Sequence, residues 1–164
     1  ELTSFALTDQ DGIEKSLSDF KGQVWIASFL FTRCQGPCPL IARQMSKLSQ
    51  ELAPFLSVRL ISISMDPEYD QPEILKAFGQ KHGADFTKWN FLTGEKSAVI
   101  QLTRDAFKVP AADNPEMHTT RCVLIDQLGQ IRGYYDTLDE DEMLDFVKDA
   151  QKLAGSPLKS ISLL

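Results

Sequence analysis

No run of apolar residues approaches the roughly 18 needed to cross a bilayer as a helix. The longest, residues 24–31, is interrupted by Ser28 and has the length of a strand. Repeats, low-complexity tracts and Pro/Gly/Ser-rich linkers are also missing, which excludes a solenoid and a chain cut by flexible connectors. Three cysteines in 164 residues are too few for a disulfide-built scaffold, and 43% hydrophobic content is enough to bury a core without one. Positive charge is in deficit: 17 Lys and Arg against 23 Asp and Glu leave a formal charge of -6. That balance repels nucleic acid and anionic membrane surfaces and suits a basic protein partner. An initiating methionine is lacking too. The chain opens at Glu1 and passes almost at once into patterned sequence, so a signal peptide or membrane anchor removed from this end is expected.

What is present reads as one α/β domain over residues 1–164, a mixed central sheet with helices on both faces. Residues 5–7 and the polar stretch after Asp11-Gly12 predict an N-terminal β-hairpin, and residues 18–22 a helical turn stopped by Gly22. Residues 24–31 are almost continuously apolar or aromatic, the pattern of a central strand buried on both faces. Pro39 then opens a helix in which Ile41, Met45, Leu48 and Leu52 form one apolar stripe. A second strand follows over residues 58–65, and Asp70, as N-cap ahead of Pro72, starts a helix that runs through Ile74, Leu75 and Phe78 to a stop at Gly83. Residues 96–107 predict a third helix, and residues 109–117, with Pro110 and Pro115 and no periodicity, an exposed loop. Two strands flank Gln127-Leu128-Gly129, and an acidic start at residues 139–142 leads into a last helix carrying Met143, Phe146, Val147 and Ala150.

Chemistry concentrates at Cys34 and Cys38, four residues apart, directly after the buried strand and at the start of a helix. Ligand-binding groups gather at that edge of an open α/β sheet. Unpaired N–H groups and the helix dipole favour negative charge there, so both thiols are expected to have lowered pKa values and a large thiolate population. Residues four apart on a helix rise by about 6 Å, and a disulfide tolerates Cα separations of about 4.4 to 6.8 Å, so the pair can be oxidised or bridged by one metal ion. A static disulfide or two independent packed thiols is the plainer reading of the same pair.

The segment VWIASFLFTRCQGPCP at residues 24–39 resembles the cysteine segment of the Sco/SenC family of copper-binding assembly proteins. Similar to that family are also residues 64–70, Ser-Met-Asp-Pro-Glu-Tyr-Asp, and His118, which precedes the Val-Leu-Ile-Asp strand ending at Asp126, with Gly129 beyond it. The resemblance implies a thioredoxin-like fold and a copper site made by Cys34, Cys38 and His118. It implies a metallochaperone that helps build the CuA centre of a respiratory cytochrome c oxidase, with oxidase subunit II or another copper-receiving protein as partner. A periplasmic location, membrane-anchored or not, is implied as well, or the mitochondrial intermembrane space in a eukaryote. Two thiolates and an imidazole suit Cu(I), Cu(II) would recruit an oxygen donor besides, and Zn(II) would accept the same set.

The rival function is a thiol-disulfide oxidoreductase in which Cys34 and Cys38 reduce a partner's cysteines for metal loading. Against it stand Thr120, where thioredoxin-like reductases carry a proline, and the Cys-x-x-x-Cys spacing, one residue wider than theirs. A thiol peroxidase fits less well, since Thr32-Arg33-Cys34 does not reproduce the peroxiredoxin Thr-x-x-Cys spacing. Cys122, alternating with Leu124 in an apolar strand, reads as a buried inert thiol. His82 beside Gly83 reads as a helix-end residue. Asp66 is the better functional candidate of the two aspartates, shaping the site electrostatically or meeting a partner, and Arg33 either stabilises thiolate charge or is merely solvated.

Overall fold

The computed structural model describes residues 4–109 and 119–155. His118 and the segment expected as a loop around Pro110 and Pro115 lie outside the described residues. Among the described residues seven strands form one mixed sheet: β1 (Ala6–Asp9), β2 (Glu14–Ser16), β3 (Val24–Leu30), β4 (Val58–Ser64), β5 (Trp89–Thr93), β6 (Arg121–Ile125) and β7 (Ile131–Asp136), in the order β2-β1-β5-β4-β3-β6-β7. Strand β3 runs parallel to β4 in a register from Val24↔Val58 to Leu30↔Ser64, and β4 is parallel to β5. The remaining pairings are antiparallel. All seven residues of β3 are buried, as a near-continuous apolar strand between two neighbours and two helical layers requires.

Helices α1 (Cys38–Glu51), α2 (Pro72–Lys81) and α4 (Glu140–Ala154) cover one face, and the short α3 (Lys96–Gln101) covers the other. The expected stripe of α1 is the buried one: Ile41, Met45 and Leu48, with Leu52 just past its end, are at most 1% exposed. They pack with Val24, Ile26, Leu60, Phe91 and Phe146. The ammonium of Lys88, itself buried, donates to the carbonyls of Leu52, Ala53 and Phe55 at 2.5, 3.3 and 3.0 Å, closing the C-terminal end of α1. Opposite, Trp25, Phe29 and Phe107 meet edge-on, with ring centroids 5.3 and 5.9 Å apart. Helix α3 passes at Leu102 into a π-helical turn, Leu102–Ala106, in which the Thr103 hydroxyl donates to the Val99 carbonyl at 2.8 Å. The third helix expected over residues 96–107 is therefore helical from Lys96 to Ala106, with Phe107 as its cap, but widens midway.

Two elements depart from the sequence reading. Strand β5 occupies a stretch to which no element was assigned, and it joins the hairpin to the parallel strands through Thr8↔Thr93 and Asp9↔Leu92. Its Phe91 amide donates to the Gln10 side chain at 3.0 Å, a tie over 81 residues that nothing local announces. Asp70 is not the N-cap of α2. That position belongs to Gln71, and the Asp70 carboxylate turns inward instead.

Candidate functional site

The parallel strands β3 and β4 both end at one edge of the sheet, and their ladder closes with the Met65 amide donating to the Leu30 carbonyl at 2.9 Å. Past Leu30 the chain leaves the sheet, turns through residues 31–37 and enters α1 at Cys38, one residue ahead of the expected Pro39, with Pro37 as N-cap and proline within the first turn. The Cys34 amide donates to the Phe31 carbonyl at 3.2 Å, folding the segment back on itself. Cys34 is thereby half-buried at the surface, whereas Cys38, first residue of the helix, is 1% exposed.

The two sulfurs meet. The Cys38 thiol hydrogen-bonds with that of Cys34 and with the backbone of Phe31. The expectation that the helix start lowers both thiol pKa values is overturned at Cys38. Burial pushes its thiol well above the ordinary range, the hydrogen bond with Cys34 adds to the rise, and the Phe31 contact offsets only part of it. A helix terminus favours a thiolate by about a kcal/mol, which does not balance removal of a charge from water.

A second layer braces the turn. The Asp70 carboxylate, fully buried, accepts hydrogen bonds from the Thr32 amide at 3.1 Å, from the Thr32 hydroxyl, and from the Ser64 hydroxyl at 2.6 Å. Burial raises its pKa and these three donors pull it back. The Ser64 oxygen also accepts from the Asp66 amide at 3.1 Å. Outside this layer, the Arg33 guanidinium reaches Asp66 with Nη2 at 2.7 Å and Nε at 2.9 Å and lies 4.1 Å over the Tyr69 ring. Arg33 is therefore engaged with Asp66 and Tyr69 rather than merely solvated, and Asp66 spends its charge on Arg33. Residues 64–70, singled out by their likeness to a family motif, act here as the buttress of the cysteine turn. Thr32 and Ser64 were noted only as members of sequence segments, and their role as the donors that hold Asp70 was missed, since a threonine and a serine at strand ends carry no local signal for it.

The other singled-out residues fall elsewhere. Cys122 lies fully buried on β6, its sulfur 3.8 Å from the Met45 thioether, and burial raises its pKa, as an inert packed thiol should show. His82 is the C-cap of α2, with its ring 4.4 Å from that of Phe78 and its pKa lowered by burial. Among the described residues no group of three or more His, Cys, Asp and Glu is arranged to hold a metal ion, and the site there comprises two sulfurs. Nor, among them, is any helix long and apolar enough to cross a membrane.

Residues 1–153 match the SCO1/SenC family. The chain is similar to the SCO1/SenC family lipoprotein of Bacillus anthracis, 36% identical with a TM-score of 0.87 over 94% of this chain and 95% of that one. It is similar also to BsSco, a member of the Sco family of cytochrome c oxidase assembly proteins in which a disulfide switch is identified, at 32% identity and a TM-score of 0.84 over 94% and 93%. The fold extends to the copper-bound ScoI of Bradyrhizobium japonicum, 22% identical with a TM-score of 0.73 over 92% of this chain and 99% of that one. The sheet and its helical layers are thus those of a thioredoxin-like Sco protein, and the chain belongs to the SCO1/SenC family.

Proposed function

We propose that this protein is a copper metallochaperone of cytochrome c oxidase assembly that binds its cargo through Cys34 and Cys38, with His118 as third ligand. The observation that carries the reading is the contact between the two thiols at a sheet edge, one reachable from solvent and one buried behind it. Two adjacent soft sulfurs favour Cu(I) over the harder divalent ions. Membership of a family that includes an oxidase assembly protein and a lipoprotein supports the destination, the CuA centre of oxidase subunit II, and a periplasmic, membrane-proximal setting. Because Cys38 holds its proton tightly, copper has to displace it, so capture releases protons and strengthens as pH rises. Cys34, as the accessible sulfur, is the point at which a recipient thiolate enters and the metal is passed on by ligand exchange.

The same contact supports thiol-disulfide exchange as a second reading, and BsSco with its disulfide switch favours keeping it. Cys34 would attack a partner disulfide, and Cys38 would then displace the partner's sulfur, leaving a Cys34–Cys38 disulfide here and two thiols on the partner. Titration of the reduced protein with Cu(I) against a competing chelator tests the choice. The chaperone reading expects one tightly held Cu(I), weakened by about 100-fold or more in Cys34→Ala and Cys38→Ala and less in His118→Ala. Weak binding by the wild type, with both cysteines still required to reduce a partner disulfide, would replace it by the oxidoreductase.

A further inference from the structure

Asp70 holds the cysteine turn at the point where the sheet stops doing so. The β3–β4 ladder pairs Leu30 with Ser64 and ends with the Met65 amide on the Leu30 carbonyl. Two residues later the Thr32 amide and hydroxyl need new partners, and both find the Asp70 carboxylate, which is tied back to the end of β4 by the Ser64 hydroxyl. Thr32 is followed after one residue by Cys34, whose own amide closes onto Phe31. Between the end of the sheet and that closure, the backbone and hydroxyl of Thr32 are thus held by one side chain. All three groups are donors, so only an acceptor fits the Oδ2 position, which receives both the Thr32 amide and the Ser64 hydroxyl. Burying a carboxylate completely is a costly way to hold a turn, and a hydrophobic residue would fill the same space without that cost. What the carboxylate supplies that a hydrophobe cannot is a definite place for Thr32.

We propose that Asp70 is a positioning residue for the Cys34–Cys38 pair: by gripping Thr32 from the end of β4 it sets the approach of the two sulfurs, and hence their effective concentration toward each other. The inference rests on Cys34 and Cys38 being the working pair, whether metal or a disulfide joins them. Asparagine separates positioning from charge. With its oxygen at the Oδ2 position and its amide at Oδ1, it keeps the Thr32 amide and Ser64 bonds, and the Thr32 hydroxyl turns to accept.

The test uses the whole chain in a Cys122→Ala background, equilibrated in glutathione buffers so that protein dithiol and oxidised glutathione exchange with protein disulfide and two reduced glutathiones. Thiols are trapped by alkylation and counted by intact mass. Asp70→Ala is expected to shift the equilibrium constant at least about fivefold toward the dithiol, and Thr32→Val about threefold the same way, while Asp70→Asn and Thr32→Ser stay within about twofold of the parent. Asp70→Ala within twofold of the parent overturns the proposal. So does Asp70→Asn shifted as far as Asp70→Ala, which would assign the effect to charge. Should Asp70→Ala fail to fold, Thr32→Val decides alone, and an unshifted constant there overturns the proposal. Cu(I) titration of the same samples keeps the readings apart: weak copper binding by the parent sinks the chaperone function and leaves the glutathione constants standing.

Discussion

Two buried thiols on the same side of the sheet have opposite prospects. Cys38 and Cys122 belong to one hydrophobic cluster, each is at most 1% exposed, and burial pushes both thiol pKa values up. Around Cys122 the neighbours are strand β6 and the Met45 thioether, so its sulfur has a soft contact and no route to solvent. Around Cys38 the chain is turning out of the sheet, and that turn puts the half-buried Cys34 against it. The difference teaches that a sulfur's own burial does not decide its chemistry here; the accessible neighbour does. Cys34 is the door, and Cys38 is the second hand behind it.

Removing either member should break the comparison most visibly: Cys38→Ala lowers Cu(I) affinity by about 100-fold or more, and Cys122→Ala changes it by less than about threefold, as read by chelator competition. Next in size is the reverse dissociation. Met45→Ala, which opens a cavity beside Cys122, costs about 3 kcal/mol in urea denaturation while leaving Cu(I) affinity within about threefold. Alkaline pH sharpens the contrast further. The Cys122 pKa is raised on folding, so its stabilising contribution is complete below the ordinary thiol value of 9.0 and declines above it, where the unfolded chain ionises first. Wild-type stability should therefore fall by up to about 1.4 kcal/mol per pH unit more steeply than that of Cys122→Ala in denaturation series run above pH 9. The smallest effect belongs to Arg33→Ala. Its exposed pairing with Asp66 and Tyr69 is screened by water, and the urea midpoint should be indistinguishable from wild type at 0.5 M salt.

What the sequence discloses and what it hides divide along the same line between local and distant causes. The seven-residue, almost wholly apolar β3, the stripe on α1 and the proline-flanked Cys38 are local patterns, and they place the thiol pair at the end of a central strand without any structure. Asp139 is likewise legible as a helix start, and its side chain does accept from the amides of Asp141 and Glu142. Asp70 obeys the same local rule, an aspartate just before a Pro-headed helix, yet it is taken by Thr32, 38 residues away. Competition between a nearby helix end and a distant buried donor cannot be read from spacing. Cys38 was misread for a related reason: the helix start favouring thiolate is visible in the sequence, whereas the side chains that exclude water from the sulfur come from several elements. Strand β5 has five residues with Asn90 among them, too short to show a period, and it is held by Gln10 from the far end of the chain. His118 was placed by resemblance alone and lies outside the described residues.

The three carbonyls gathered by Lys88 give the molecule an internal gauge of its own integrity. An amine engaged in this way at the end of α1 is hidden from acylating reagents for as long as that helix end stays closed. Exposed lysines such as Lys47 and Lys148 label at once. The rate at which Lys88 acquires label therefore follows release of the turn that closes the C-terminal end of α1, the helix whose first residue is Cys38, so a lysine chemistry remote from the thiols can register how often that end yields.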